Sequence, residues 1–119
     1  MRFMIIVKAT KDSEAGVMPD EKILTEMAKY HEELQKAGVL LDASGLQASS
    51  KGWRIRYSRE KRTVIDGPFA EAKELIAGYT LIQVKSKEEA IAIAARIPMA
   101  RRGTVEVRPV VQLADLPPD

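Results

Sequence analysis

The run Phe3-Met4-Ile5-Ile6-Val7 contains no polar position. It is short and rich in β-branched residues, so it reads as a strand. Successive side chains on a strand point to opposite faces, which places Phe3, Ile5 and Val7 on one side and Met4 and Ile6 on the other. A strand wetted on one face alternates apolar with polar residues. This one must therefore lie in a sheet covered on both sides. The same pattern recurs downstream. Between Ile76 and Val84, Tyr79 and Leu81 oppose Ile76 and Ile82, and between Val105 and Val111, Val110 opposes Val105, Val107 and Val111.

The intervening segments say what covers one side. Pro19 and Asp20 open a helix, with Pro tolerated in a first turn and acids suited to the positive end of the dipole. Ile23, Met27, Tyr30 and Leu34 recur on one face of it, and Gly38 stops it. Ser86 and Glu89 have the spacing of a capping box and start a second helix over 87–97, which Pro98 ends. Thr10 to Met18 reads as a loop. Val39 to Leu46 reads as a strand, with Gly45 as the expected site of a bulge. Trp53-Arg54-Ile55-Arg56-Tyr57 alternates like a half-buried strand, and Arg62 to Ile65 is its hairpin partner.

The resulting order is β-α-β, a hairpin, then β-α-β. This is an α+β, ferredoxin-like plan, βαββαβ with an inserted hairpin, whose helices cover one face of an antiparallel sheet. The opposite face is still apolar. A second copy of the chain covers it most simply, which predicts a homodimer with sheets packed face to face.

The chain's 119 residues fit one domain, with 114–119 a loosely held tail. There is no cysteine, which excludes disulfides, thiolate nucleophiles and Cys-based metal sites. The net charge of +2 is too small to argue for nucleic acid. No apolar run approaches the ~20 residues that span a membrane. The start, "MRFMIIVKATKD", lacks the pattern of a signal peptide. The expectation is a soluble, cytoplasmic protein. No Walker loop, dinucleotide fingerprint or nucleophile elbow is present, so no cofactor is expected.

Candidate chemistry is sparse. His31 is the only histidine, beside the apolar stripe of the first helix. That position suits a residue bordering the core better than a base, and a His-based metal site is disfavoured. Lys51, Arg54, Arg56, Arg59, Lys61 and Arg62 cluster around the hairpin. Arg54 and Arg56 share one strand face, while Trp53, Ile55 and Tyr57 share the other, so the aromatics do not interleave with the basic groups as a nucleic-acid platform requires. Arg101-Arg102-Gly103 reads as a surface turn. The segment Asp66-Gly67-Pro68-Phe69 is a turn, and Ala70 to Leu75 suits a helical turn with Glu71 and Glu74 as neighbours. Two acids and Lys73 near a strand end can do acid–base work or simply be a solvated loop.

The stretch "DGPFAEAKELIAGY", with "MRFMIIVKATKDSEAGVMP" and "VEVRPV", resembles the DGPF branch of the YCII-related superfamily along nearly the whole chain. The resemblance implies a ferredoxin-like, dimeric α/β-barrel. One relative is a dehydrochlorinase of chlorinated hydroxyhydroquinone, and a His-Asp pair is the site proposed in the wider group. Here Met27, not His31, stands near the expected histidine. Ala72 replaces the usual threonine of the motif, and Ser44-Gly45-Leu46-Gln47 stands where many members have Glu-Gly-Leu-His.

Two functional readings follow. The leading one is a homodimer that binds a small molecule between the sheet and the DGPF loop, with cofactor-independent acid–base or elimination chemistry. Asp66 and His31 are its candidate catalytic residues, and Phe69, Glu71, Lys73 and Glu74 its candidate binding residues. The rival is a non-enzymatic, transcription-associated interaction domain that uses the basic hairpin face. The sequence leaves open whether the protein is an enzyme.

Overall fold

The computed structural model describes residues 1–99 and 103–117, the side chain of Lys73 aside. Arg101 and Arg102 of the expected surface turn, and Pro118 and Asp119 of the tail, lie outside the described residues. Six strands, β1 (Arg2–Lys8), β2 (Leu40–Gly45), β3 (Trp53–Ser58), β4 (Lys61–Asp66), β5 (Ile76–Gln83) and β6 (Val105–Pro109), are joined by helices α1 (Lys11–Glu14), α2 (Glu21–Lys36) and α3 (Lys87–Ala95). Four strands form one antiparallel sheet in the order β2-β5-β1-β6, while β3 and β4 make a separate two-stranded sheet. This is the ferredoxin-like arrangement with an added hairpin.

The two central strands carry the core. Phe3, Ile5 and Ile82 are buried with Val84 under Tyr30 and Leu34 of α2 and Ala90, Ile93 and Ala94 of α3. The pairs Phe3–Ile82 and Ile5–Thr80 put those residues on one face. The pairs Met4–Leu81 and Ile6–Tyr79 lie on the other, which no helix of this core covers. Tyr30 ties the helices together by donating its hydroxyl to the Ile93 carbonyl at 2.7 Å. Burial pushes that phenol up to about 12, against a smaller opposing pull from Arg96.

The helix starts follow local chemistry. Asp20 caps α2 by accepting from the Ile23 N–H at 2.9 Å. Ser86 caps α3 by accepting from Glu89 N–H at 3.1 Å. The carboxylate of Glu89 reaches one residue further back than a capping box requires and accepts from Lys85 N–H at 3.0 Å.

Four expectations need correction. The presumed loop after β1 contains α1, a single turn whose start is closed by a capping box between Thr10 and Ser13. One turn is too short to show helical periodicity in a sequence. α3 ends at Ala95, before the expected stop, with Arg96 as its C-cap and the Arg96 N–H bonded to the Ile93 carbonyl at 3.2 Å. The irregularity of β2 falls between Leu40 and Asp42, not at Gly45. The strand Trp53–Ser58 is exposed along its whole length instead of half-buried, because its only strand partner is β4.

The molecule is flat, with extents of 49 × 46 × 19 Å, and its radius of gyration is 16.5 Å. A compact chain of this length has a radius of about 13.5 Å. The extended shape goes with a sheet face that no helix of the core covers and a hairpin that forms a separate sheet.

Candidate functional site

The DGPF segment is held by backbone. Gly67 donates its N–H to the Gly52 carbonyl at 3.0 Å, and Phe69 donates its N–H to Ser49 Oγ at 3.0 Å. A Cβ on Gly67 would lie 1.8 Å from the Ser49 carbonyl oxygen, so only glycine fits here. The Gly67–Pro68 peptide is cis. Phe69 is half-buried, and the Arg54 guanidinium of β3 sits over its ring, 3.8 Å from the centroid. Ser49 is in turn fastened to α1: its hydroxyl donates to Glu14 Oε1, and its N–H donates to Glu14 Oε2 at 2.9 Å. The motif thus locks the root of the hairpin to the turn before β3, and that turn to α1.

Asp66, Glu71 and Glu74 of the segment are exposed. Asp66 is the last residue of β4, opposite Trp53, and is exposed. Glu71, which precedes the short 3-10 turn Ala72–Glu74, and Glu74, which ends it, are both exposed, and Glu74 N–H donates to the Glu71 carbonyl at 3.0 Å. They are sequence neighbours of the lock and take no part in the hydrogen bonds that make it.

His31 stands on the helix-covered side. Its Nε2 shares a 2.9 Å hydrogen bond with Thr80 Oγ1, and Thr80 is only 2% exposed. Burial lowers the imidazole below its ordinary value of 6.5. The sign for stability follows: the unfolded chain takes up the proton more readily, so this contribution is complete above about pH 6.5 and fades as pH falls through the lowered folded value. Urea titrations at pH 7.5 and 5.5 should show a larger loss in the native protein than in His31→Gln. An equal loss in both would separate His31 from the acid response.

A different set of residues forms a cavity of about 430 Å³. It lies where β1 ends and α1 begins. Lys8, Thr10, Asp12, Ser13 and Thr104 supply polar groups, and Val7, Val17 and Ala77 supply an apolar wall. Ser13 is spent internally, with its Oγ bonded to Thr10 N–H and to the Thr10 carbonyl. The Thr10 hydroxyl accepts from Ser13 N–H at 3.1 Å and keeps its own proton to donate. Lys8 and Asp12 make no ion pair among the described residues. Asp66, His31, Phe69, Glu71 and Glu74 do not line this cavity. The DGPF loop nevertheless ends beside it, where Ala9 N–H donates to the Leu75 carbonyl at 2.9 Å.

Sequence reasoning missed Lys8, Thr10 and Asp12. The available signal was Thr10-x-x-Ser13 just after a strand, a spacing that caps a helix start. Among the described residues, no group of three His, Asp or Glu side chains is placed to hold a metal ion, and no helix is long and apolar enough to cross a membrane.

The same frame occurs in a solved structure, the 5-chloro-2-hydroxyhydroquinone dehydrochlorinase of Burkholderia phenoliruptrix AC1100 in complex with 2,5-dihydroxybenzoquinone. The two share a TM-score of 0.55 at 12% identity, over 93% of this chain and 94% of that one, which establishes a common fold. An uncharacterised protein of Rhizobium meliloti (strain 1021) is 32% identical over 93 residues, covering 76% of this chain and 75% of its own length. The profile of the YCII-related domain matches residues 1–114, which contain all six strands described above, and the chain belongs to the YCII-related family.

Proposed function

We propose that this protein binds a small polar molecule in the cavity between the end of β1 and α1. The observation that carries the reading is the cavity itself: about 430 Å³, within the range of ligand sites, lined by Lys8 and Asp12, which form no ion pair among the described residues, together with apolar side chains. Lys8 offers a positive charge to an anionic oxygen, and the Thr10 hydroxyl offers a donor. Asp12 offers a carboxylate for proton transfer. That set suits a hydroxylated ring in its ionised, enolate-like form. The fold neighbour's bound 2,5-dihydroxybenzoquinone is a molecule of that kind. The chemistry these residues support is cofactor-independent proton transfer or elimination. In this reading Glu71, Lys73 and Glu74 gate the cavity from the DGPF loop, Asp66 offers a further carboxylate, Phe69 holds that loop's shape, and His31 joins α2 to β5. The protein works in the cytoplasm as a homodimer, with the face that bears Met4, Ile6, Tyr79 and Leu81 turned to the second copy.

A thermal-shift series with 2,5-dihydroxybenzoquinone and related small ring acids tests the reading. At a ligand concentration about 100 times Kd, linkage stabilises the folded state by about 2.7 kcal/mol. Lys8→Met should remove the shift while leaving the unliganded melting temperature close to native. If no ring acid raises the melting temperature, or if Lys8→Met responds as the native protein does, the reading fails. The rival use of the basic hairpin face is weakened by Arg54, which already lies over Phe69.

A further inference from the structure

A face-to-face dimer of sheets leaves the hairpin unexplained. β3 and β4 pair only with each other. Their register brings Trp53 opposite Asp66, Ile55 opposite Val64 and Tyr57 opposite Arg62, so Trp53, Ile55, Tyr57 and Val64 share one face. That face is open: Trp53 is 64% exposed, Tyr57 69% and Val64 62%. The other face is anchored at its root, where Arg54 lies over Phe69. A lone two-stranded hairpin is at best marginally stable in water. Four large apolar side chains in a row on such a hairpin need a covering layer.

The surface area says how large that layer is. The chain exposes 9071 Å². A self-contained monomer of this mass exposes about 6,400 Å². The excess of about 2,700 Å² per chain is well above the ~800 Å² that each partner contributes to an ordinary complex, and it matches the larger interfaces of obligate dimers. A bare sheet face alone does not account for the extended shape, since the hairpin stands apart from the sheet. Apolar residues also remain exposed in the C-terminal segment, at Val111, Leu113 and Leu116.

We propose that the β3–β4 hairpin is an arm that docks its Trp53, Ile55, Tyr57 and Val64 face onto a second copy of this chain. The arm extends the interface begun by the uncovered sheet face, and in a two-fold dimer each copy gives one arm and receives one. The lock formed by Ser49, Gly67 and Phe69 then sets the angle at which the arm leaves its own domain. The proposal builds on the homodimer reading and is independent of the cavity.

Trp53 is the only tryptophan in the chain, so its fluorescence reports on the arm directly. Light scattering at micromolar concentration should give twice the chain mass of 13.2 kDa. In that state Trp53 should emit at shorter wavelength, and iodide should quench it several-fold less than in the urea-unfolded chain. Tyr57→Lys with Val64→Lys changes only exposed positions, so the fold survives, and should raise the dimer dissociation constant about 30-fold or more. Ile6→Lys on the sheet face serves as the comparison. A dimer in which Trp53 is as accessible as in urea, or one that the double arm variant leaves equally tight while Ile6→Lys weakens it, overturns the arm and spares the sheet-face dimer. A monomer at micromolar concentration overturns both.

Discussion

Gly67→Ala is expected to unseat the DGPF loop and lower stability by about 3 kcal/mol, toward the upper end of the cost of overpacking. A methyl group at this position would stand 1.8 Å from the Ser49 carbonyl oxygen, and that oxygen belongs to backbone, not to a side chain that can rotate away. The loop must move instead. It then loses the Gly67 N–H bond to Gly52 and the Phe69 N–H bond to Ser49, each contributing about 1 kcal/mol. It also withdraws the Phe69 ring from Arg54, a contact of about 0.5–1 kcal/mol at an exposed site. Gly45→Ala is the control, because a Cβ there meets nothing within 4 Å. Urea denaturation of the two variants should separate them clearly. If Gly67→Ala unfolds at the native midpoint, the loop is not locked against Ser49.

The comparison of sequence with structure divides along a physical line. The apolar run Phe3–Val7 announced a strand buried on both faces, and the structure places it at the centre of the sheet with helices on one side. The stripe containing Met27, Tyr30 and Leu34 announced the helix above it. Both are patterns of apolar residues inside one continuous segment. The lock around Gly67 was invisible because it depends on Ser49, which is remote in sequence. Turn chemistry explained a glycine there, whereas the close approach of another backbone is the stronger reason. Alternation in Trp53–Tyr57 correctly sorted which residues share a face, but alternation does not say what covers that face. The cavity escaped notice because its polar residues, Lys8, Thr10 and Asp12, sit in a turn too short for periodicity. Charge density drew attention to Glu71 and Glu74 instead, and both are exposed.

Ile82→Ala is expected to destabilise the protein by about 2–5 kcal/mol, the usual range for a fully buried isoleucine. Ile82 is 0% exposed and sits between Phe3 on β1 and Leu40 on β2. It is packed in the same cluster as Tyr30 and Leu34. Removing three carbons leaves a void that strands on both sides hold open, since neither neighbour can move without breaking its own ladder. Against a total stability of about 5–15 kcal/mol, this loss brings the protein near its unfolding threshold at moderate temperature. The effect should appear as a lower urea midpoint at every protein concentration. Substitutions on the arm act differently, because the stability of a dimer grows with protomer concentration. Tyr57→Lys with Val64→Lys should lower the midpoint by weakening association and should flatten its rise with concentration. Ile82→Ala should shift the whole curve down and keep its slope. If both variants change the slope equally, Ile82 contributes to association as well as to the core, and the division between a helix-covered core face and an outward docking face is wrong.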